Sequence, residues 1–415
     1  MVDADLLIAD ADVVATCAGR GPRAGTAQRD ASLCERTSVA SFRGRIVWVG
    51  AAADAERALA LAPDATIIDA RGHTVTPGFV DSHTHLVFGG DRRDELQRRL
   101  AGATYAEIAA SGGGIVKTVA ATRAATEDEL VEAALPRLAS MLAHGTTTAE
   151  IKSGYGLNLE TELRQLRAIR RLSQMQPVSL SSTFMGAHEV PPEYRGHTDS
   201  YVDLVIDRMI PAVSTEHLAE WCDVFCERGV FTPAQSRRIL EAGRAHGLKP
   251  RIHADELALS GGSAVAAQVG ARSADHLIYV DAPHADGLRE AGVIATLLPA
   301  AAFFLKLGQF APARLLIDHD VPVALATDLN PGGGFTPSMP FVMALACFGM
   351  GMTAEEALVA STLNAAAALD VADRCGSLEA GKVMDAVLVR GPLTELLKVG
   401  TTSIAGVIKD GIRVC

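Results

Sequence analysis

Two histidines separated by one residue, His83 and His85, follow an apolar stretch typical of a buried β-strand. Side chains two residues apart on an extended chain point to the same face, so both imidazoles could bind one ion. The alternative is a hydrogen-bonded structural pair, but inward-facing imidazoles without a ligand would be costly to bury. The pair alone therefore favours a divalent metal site.

Further histidines and carboxylates end other apolar segments of the chain. His253 and Glu256 follow one segment, His276 ends the next, and Asp328 ends the last. A lone histidine such as His188 is most often a satisfied core residue, so the joint placement carries the argument. Three histidines and one aspartate suit Zn²⁺ or another borderline divalent metal, and they leave room for a bound water.

A site of this kind predicts metal-assisted hydrolysis, with a metal-bound hydroxide as the nucleophile. Zn²⁺ lowers the pKa of its bound water from ~15.7 to ~7. At about 1.36 kcal/mol per pKa unit, this corresponds to roughly 12 kcal/mol toward hydroxide.

Apolar β-branched segments alternate with helical ones through the middle of the chain. Eight such alternations in about 250 residues predict an α/β fold, a TIM-like (β/α)8 barrel with its chemistry at the C-terminal strand ends. A doubly wound open sheet is the alternative, but no GxGxxG motif follows an early strand. The strands are predicted at 79–85, 146–153, 178–188, 222–227, 250–256, 273–277, 293–298 and 321–330, and helices at 127–143, 159–172, 233–246 and 312–319.

Short extended segments with turn signals occupy both ends of the chain. We therefore predict a small β-sandwich-like domain built from residues 1–76 and 377–415, and a hydrolase barrel over residues 77–376. The glycine-rich segment 112–118 resembles a phosphate-binding loop, but Val116 stands where that motif has a glycine before the lysine. We interpret this segment as a mobile or substrate-covering loop.

Composition excludes several classes of protein. The 415 residues include 38 basic and 49 acidic ones, for a formal net charge of −11, and 5% are aromatic, so we expect no nucleic-acid partner. Pro299 interrupts the longest apolar run, which is shorter than the ~20 residues of a membrane span, so we expect no membrane attachment. The acidic N-terminus is unlike a secretory signal, and seven scattered cysteines are typical of reduced thiols, so we expect a cytoplasmic location.

The arrangement of polar residues resembles the amidohydrolase superfamily, and the resemblance extends over nearly the whole chain. The most specific segments are KSGYGL, GAHEVPPEY and ATDLNPG, which resemble members that act in histidine degradation. The resemblance implies hydrolysis of the cyclic amide of 4-imidazolone-5-propionate to N-formimino-L-glutamate, the third step of that pathway. It also implies one divalent metal per subunit, Zn or Fe, and a homodimer acting on a small-molecule substrate.

The resemblance assigns roles to individual residues. The metal ligands would be His83, His85, His253 and Asp328, and the catalytic residues would be Glu256, His276 and Asp328. The substrate contacts would be Arg92, Tyr155, His188, Glu256, Asn330, Gly332 and Gly333. Members of the family usually carry a hydroxyl at the position of Gly333, so only backbone could serve there. Residues 18–35 match the family poorly, and no function is assigned to them.

Arg92 suits this substrate because a planar guanidinium can bind a propionate tail through two hydrogen bonds. It lies in a charged run with Asp91, Arg93, Asp94 and Glu95, which we interpret as surface ion pairs. The alternative for Arg92 is a place in the same surface network.

Three alternative functions or sites remain open from the sequence. An aminohydrolase that deaminates a purine or pyrimidine would share the metal ligands. A binuclear site would need a carboxylated lysine on the fourth strand, and Lys152 could serve only if the strand count were shifted. A metal-free scaffold would be expected to lack one or more ligand residues, whereas this sequence has all of them.

Overall fold

The computed structural model describes residues 1–19, 21–103, 107–108, 112–400 and 402–415. Parallel strands of its central part form a nearly closed barrel, which confirms the predicted fold class. The fifth strand is split into two short pieces. The barrel strands are Phe79–Asp81, Thr146–Lys152, Ser179–Ala187, Trp221–Cys226, Lys249–Pro250 with Ile252–Ala254, Ser273–His276, Ile294–Leu297 and Val323–Leu325.

The barrel closes between its last and first strands through residues beyond the strand ends. Thr84 and Leu329 form a parallel bridge. The amide of His85 donates to the carbonyl of Leu329 at 2.9 Å, and the amide of Asp328 donates to the carbonyl of His83 at 3.1 Å. The closure itself therefore holds together two segments that carry predicted metal ligands.

All eight barrel strands end earlier than the sequence predicted, most of them by one or two residues and the first and last by four and five. The first ends at Asp81 and the last at Leu325, so His83, His85 and Asp328 lie in the segments that follow. Asp328 has a φ of 51°, a left-handed conformation that a pleated strand cannot contain. The predicted boundaries were wrong because these residues leave the pleat at the barrel mouth.

Helices follow the barrel strands and cover the outside of the barrel. Side-chain caps define several of their starts: Thr126 and Glu129 form a capping box, as do Thr232 and Gln235. The helices predicted at 127–143 and 159–172 are confirmed, and the other two are correct to within one residue at each end. The α-helices are Ala55–Ala58, Arg93–Leu100, Ile115–Ala124, Glu127–Ala143, Leu159–Leu172, Thr198–Leu204, Ile210–Thr215, Pro233–Ala245, Gly262–Val269, Ala282–Ala291, Pro299–Leu305, Ala313–Asp318, Met339–Met350, Ala354–Ala360 and Leu363–Ala368. A π-helical turn covers Val205–Met209, and 3₁₀ turns cover Gly25–Arg29, Ala52–Asp54, Pro192–Tyr194 and Leu393–Leu397.

None of the helices that the structure describes is long and apolar enough to cross a membrane.

The glycine-rich segment 112–118 differs from its prediction as a loop. A helix begins at Ile115, and only the glycines before it form a turn, with φ of 84° at Gly112 and 75° at Gly114. Thr118 of this helix is buried. The loop prediction is therefore wrong from Ile115 onward, because the residues after the glycines pack as a helix.

Both ends of the chain contribute to one further sheet, as predicted. At the N-terminal end, the short segments expected there are one long strand, Val2–Ala15, with an irregular register between Ile8 and Ala11. In spatial order the sheet contains Ile412–Arg413, Ile404–Lys409, Ala386–Arg390, His73–Pro77, Val2–Ala15, Leu33–Phe42 and Arg45–Ala51, and Leu59–Asp69 also pairs with Val2–Ala15. The exact division into domains at residues 76 and 377 stays a prediction.

Residues 21–30 dock against the barrel. Gln28 is fully buried, and its side-chain amide accepts from the amide of Val323 at 3.1 Å and donates to the carbonyl of Val323 at 3.0 Å. Asn364 donates to the same carbonyl at 2.9 Å. These side chains thus satisfy backbone groups of the last barrel strand, the strand that leads to Asp328.

Candidate active site

Three imidazoles converge at the mouth of the barrel. His83, His85 and His253 each offer a nitrogen, and these atoms lie within 4.8 Å of one another. Nε2 of His85 is 3.2 Å from Nε2 of His253. Oδ1 of Asp328 is 3.7 Å from Nε2 of His83 and 3.8 Å from Nε2 of His85. The four predicted metal ligands therefore surround one point.

The donor set fits a divalent metal. Nε2 of His83 and Nδ1 of His85 are buried without a hydrogen-bond partner among the described residues. Burial lowers the pKa of both imidazoles well below its usual value, with Lys152 and His188 respectively adding to the effect. Neutral imidazoles have a lone pair to donate, and a cation bound at the point where the ligands converge would satisfy Nε2 of His83.

Buried carboxylates orient two of these imidazoles from behind. Nδ1 of His83 lies 2.7 Å from Oδ2 of Asp275, and Nδ1 of His253 lies 3.1 Å from Oδ1 of Asp223. An Nδ1–H that donates to a carboxylate leaves Nε2 as the metal-binding atom. Neither aspartate was predicted from the sequence to have a role at this site. An isolated aspartate inside the apolar strand Trp221–Cys226 was the available signal, because a buried charge needs a partner.

A buried ion network lies beneath these carboxylates. Nζ of Lys152 is 2.7 Å from Oε1 of Glu150 and 2.8 Å from Oδ2 of Asp223, while Nη2 of Arg251 is 3.3 Å from Oδ2 of Asp275. Burial acts to lower the pKa of Lys152, but Asp223 and Glu150 outweigh it and raise the pKa. Lys152 is therefore a paired ammonium at the end of the second strand, where the strand count placed it.

A single pocket joins the converging imidazoles to the predicted substrate contacts. It is lined by His85, Arg92, Ile115, Tyr155, His188, Phe225, His253, Glu256, Leu257, His276, Leu305, Leu307, Asp328, Asn330, Gly332 and Gly333. His83 lies beside this wall, with its ring centroid 4.5 Å from that of His253. The structure thus brings together every predicted site residue. The apolar part of the pocket lining was not predicted, because apolar residues occur throughout the chain and no sequence pattern marks the ones that line a pocket.

Two carboxyl groups face the pocket beside the imidazoles. Burial raises the pKa of Glu256 to about 8, with Asp328 contributing, and burial raises the pKa of Asp328 to about 7. Oε1 of Glu256 is 3.6 Å from Nδ1 of His276, and burial lowers the pKa of His276 well below its usual value. These groups can hold or release a proton near the converging imidazoles.

His188 and Tyr155 form an aromatic wall next to His85. The His188 ring stacks on that of His85 with centroids 4.8 Å apart, and the Tyr155 ring lies 5.2 Å from His188. Nδ1 of His188 is 3.0 Å from the carbonyl of Gly154. A Cβ at Gly154, where φ is 108°, would come within 3.0 Å of that nitrogen, so the turn requires glycine.

Arg92 lines the same pocket and is only 4% exposed. The alternative of a surface ion pair for Arg92 is therefore wrong. Its Nε donates to Oε2 of Glu95 at 2.8 Å. Glu95 is 1% exposed, so its assignment to the surface network is also wrong, whereas Asp94 pairs with Lys117 on the surface as predicted.

The side chain of Asn330 organises the loop after the last strand. Its Oδ1 accepts from the amides of Gly332 at 2.8 Å and Gly333 at 2.6 Å, and its Nδ2 donates to the carbonyl of Asp328 at 2.7 Å. This loop carries Gly332 against Arg92: a Cβ at Gly332 would lie 2.1 Å from Cζ of Arg92. Direct contact between Asn330 and a substrate stays a prediction.

Comparison with known proteins connects this geometry to a family. The model of the amidohydrolase family matches residues 74–414. An imidazolonepropionase of Symbiobacterium thermophilum is 49% identical over 410 residues, which cover 98% of this chain and 96% of the relative. One of Geobacillus kaustophilus is 52% identical over 385 residues, or 92% of this chain and 91% of the relative. The chain belongs to the amidohydrolase family, in its imidazolonepropionase branch.

Solved structures agree with this amidohydrolase fold. An adenosine deaminase from Xanthomonas campestris with bound zinc has a TM-score of 0.68 at 20% identity, covering 99% of this chain and 93% of that one. Atrazine chlorohydrolase from Arthrobacter aurescens TC1 complexed with zinc has a TM-score of 0.73 at 17% identity, covering 98% of this chain and 94% of that one. At these identities the likeness shows the fold alone.

Lys152 is expected to be essential to the stability of this amidohydrolase. Replacing it with Met leaves Glu150 and Asp223 buried without their cation, which should lower the free energy of unfolding by about 3–5 kcal/mol. Urea unfolding monitored by circular dichroism measures the change. Lys249→Met removes a half-exposed lysine that pairs with Asp370 and is the matched control. Equal stability of the two variants would contradict this account of the network.

Gly332 is expected to tolerate no side chain because of its contact with Arg92. Gly332→Ala forces the guanidinium to move, so KM should rise about tenfold or more, the equivalent of ~1.4 kcal/mol. Gly287→Ala is the matched control, since Gly287 lies in the helix Ala282–Ala291 outside the pocket and a Cβ there meets no described atom within 4 Å. Steady-state kinetics of both variants test the contact, and similar KM values for the two would contradict it.

Proposed function

We propose that this chain hydrolyses the cyclic amide of 4-imidazolone-5-propionate to N-formimino-L-glutamate, the third step of histidine degradation. One observation carries the proposal: a single pocket is lined both by the converging imidazoles and by the buried Arg92. A ring with an amide carbonyl and a propionate tail presents the chemistry that these two groups would recognise. The relatives named imidazolonepropionase support the same substrate.

The metal in this proposal is one divalent ion per subunit, Zn or Fe. His83, His85, His253 and Asp328 would hold it, a ligand set that both metals accept. When bound, such an ion activates water and polarises a carbonyl oxygen. The paired state of Lys152 supports a single ion, because a bridging lysine would need a free amine.

Residues of the pocket would bind and orient the substrate. Nη1 and Nη2 of Arg92 have no protein partner in the described part of the chain, and Arg92 lines the pocket, so this edge can bind the propionate through two hydrogen bonds. The Tyr155 ring lines the same pocket, and its hydroxyl would add a donor to the tail. The imidazole of His188 and the carboxyl group of Glu256 would orient the substrate ring by hydrogen bonds.

Proton transfer would fall to three groups near the reacting carbonyl. The Asp328 carboxylate would take the proton of the attacking water and pass it toward the ring nitrogen that leaves. His276 would act in acid/base chemistry or stabilise the developing oxyanion, and Glu256 lies 3.6 Å from its Nδ1. Opening of the C–N bond then gives the formimino group.

An aminohydrolase acting on a purine or pyrimidine is the second candidate. It would share the imidazole and aspartate ligands, but such bases have no carboxylate for the buried Arg92. The complete set of ligand residues favours catalysis over a metal-free scaffold.

We further propose a cytoplasmic homodimer with no nucleic-acid or membrane partner. Each chain would have a barrel domain at residues 77–376 and a terminal domain at residues 1–76 and 377–415.

An assay coupled to urocanase tests the proposed function. Urocanase generates the labile imidazolonepropionate in place, and mass spectrometry follows formation of formiminoglutamate with and without this chain. We expect product to form only with the protein present. Product formation from an aminopyrimidine or from adenosine, with imidazolonepropionate left unchanged, would favour the second candidate.

A further inference from the structure

Glu95 connects two parts of the pocket wall through its two carboxylate oxygens. Oε2 accepts from Nε of Arg92 at 2.8 Å, and Oε1 accepts from the amide of Gly114 at 2.9 Å. The side chain is 1% exposed, so water does not compete for either bond. A buried carboxylate with two fixed donors has one stable orientation.

The first bond determines which edge of Arg92 faces the pocket. With Nε bound to Glu95, the edge formed by Nη1 and Nη2 is left for a ligand. Gly332 also confines the guanidinium, since an added Cβ there would come within 2.1 Å of Cζ and Nη1. Glu95 and Gly332 together therefore hold the guanidinium in one position.

The second bond holds the turn that begins the next helix. Gly114 has a φ of 75°, and a Cβ at Gly113 would lie 2.9 Å from Oε1 of Glu95, so the backbone approaches this carboxylate closely. The helix then begins with Ile115, which lines the pocket. Displacing Glu95 would thus move the apolar wall at Ile115 as well as the guanidinium of Arg92.

We propose that Glu95 is a positioning residue that makes the pocket selective for a carboxylate-bearing ligand. It acts through Arg92 and Gly114, and it touches neither the reacting carbonyl nor the converging imidazoles. The identity of the substrate rests on the proposed function, but selectivity for a carboxylate can be measured without turnover.

Glutamine cannot replace Glu95. The two carboxylate oxygens accept from two N–H donors, whereas a primary amide has one oxygen and turns an N–H toward the other donor. The variant Glu95→Gln therefore breaks one of the two links while keeping the size of the side chain. Asp94→Asn is the matched control, because it makes the same chemical change one residue away in a surface pair with Lys117.

Calorimetric binding of two probes to the metal-loaded protein tests the inference. The probes are imidazole-4-propionate and 3-(imidazol-4-yl)propan-1-ol, which lacks the carboxylate. We expect wild type and Asp94→Asn to prefer the carboxylate about tenfold or more, and Glu95→Gln to lose most of this preference. In kinetics, Glu95→Gln should raise KM by about tenfold and change kcat less than ~3-fold.

Several outcomes would overturn the inference. Unchanged selectivity in Glu95→Gln would do so, and so would a loss of thermal stability with equally weakened binding of both probes, which marks a purely structural role. Should Glu95→Gln fail to fold, the pair Arg92→Met and Arg92→Met/Glu95→Gln carries the test, because the double variant removes the cation and the buried acid together. Equal selectivity of that pair supports action through Arg92, and a further loss in the double variant contradicts it.

The proposed function can fail separately. Wild type that binds the propionate probe selectively, through Glu95, but does not turn over imidazolonepropionate would disprove the proposed substrate and leave the inference standing. If wild type turns over imidazolonepropionate and Glu95→Gln does so with an unchanged KM, the proposed substrate stands and the inference is disproved.

Discussion

We expect the His253→Ala variant to lose its metal and its hydrolytic activity together. His253 offers one of the three imidazole nitrogens that converge within 4.8 Å, and Asp223 fixes its orientation. Without it the site keeps two imidazoles and one carboxylate, one ligand fewer than the four that converge here, and we expect the weakened site to release the ion during chelator dialysis. Because the metal supplies the activation of water, kcat should fall at least ~1000-fold. Metal content by mass spectrometry and kcat are measured on the same sample.

The control for this prediction is His246→Ala. His246 caps the helix Pro233–Ala245 at the surface, and Nδ1 of its ring lies 3.0 Å from the carbonyl of Ala242 in that helix. We expect this variant to keep its metal and its activity. Circular dichroism shows whether His253→Ala keeps the fold. A folded His253→Ala protein with a full complement of metal would contradict the assigned ligand set.

The Glu256→Gln variant should keep its metal and lose most of its activity. Burial raises the pKa of Glu256 to about 8, so the carboxyl can both hold and release a proton near neutral pH. Glutamine keeps the hydrogen-bonding shape but cannot exchange a proton. We expect kcat/KM to fall by about 100-fold to 10,000-fold, with most of the loss in kcat.

Glu216→Gln makes the same chemical change in a surface pair with Arg167 and should leave the kinetics unchanged. Unchanged kcat/KM in Glu256→Gln with the metal retained would remove Glu256 from the catalytic set. A rise in KM alone would assign it to substrate binding only.

The barrel was predictable because its signals are periodic. Apolar segments such as Trp221–Cys226 and helices with capping boxes, such as Glu127–Ala143, have local patterns that tertiary structure does not override. The strand ends were less predictable. His276 and Asp328 have φ of 76° and 51°, and local propensity does not favour this left-handed conformation for either residue.

The ligands were predictable from the sequence, but their supports were not. His83, His85 and Asp328 follow apolar segments, where a polar side chain stands out. Asp223, isolated inside an apolar strand, indicated a buried partner without identifying it, and Glu95 gave no signal because it lies in a run of charges that resembles a surface. Their roles depend on partners distant in sequence or on burial, which one sequence does not encode locally.

The docking of residues 21–30 could not be predicted from local sequence patterns either. Gln28 bonds to Val323, almost 300 positions away along the chain. Its fully buried amide replaces a strand neighbour for the last barrel strand, and only the assembled fold shows this contact.

Reconstitution of the metal-free protein tests the central claim most directly. Turnover of imidazolonepropionate is measured while Zn²⁺ or Fe²⁺ is added in known amounts to apoprotein prepared with a chelator. The account predicts that activity rises in proportion to bound metal and reaches its plateau at one ion per chain. Full turnover by the metal-free protein, or a plateau only at two ions per chain, would contradict it.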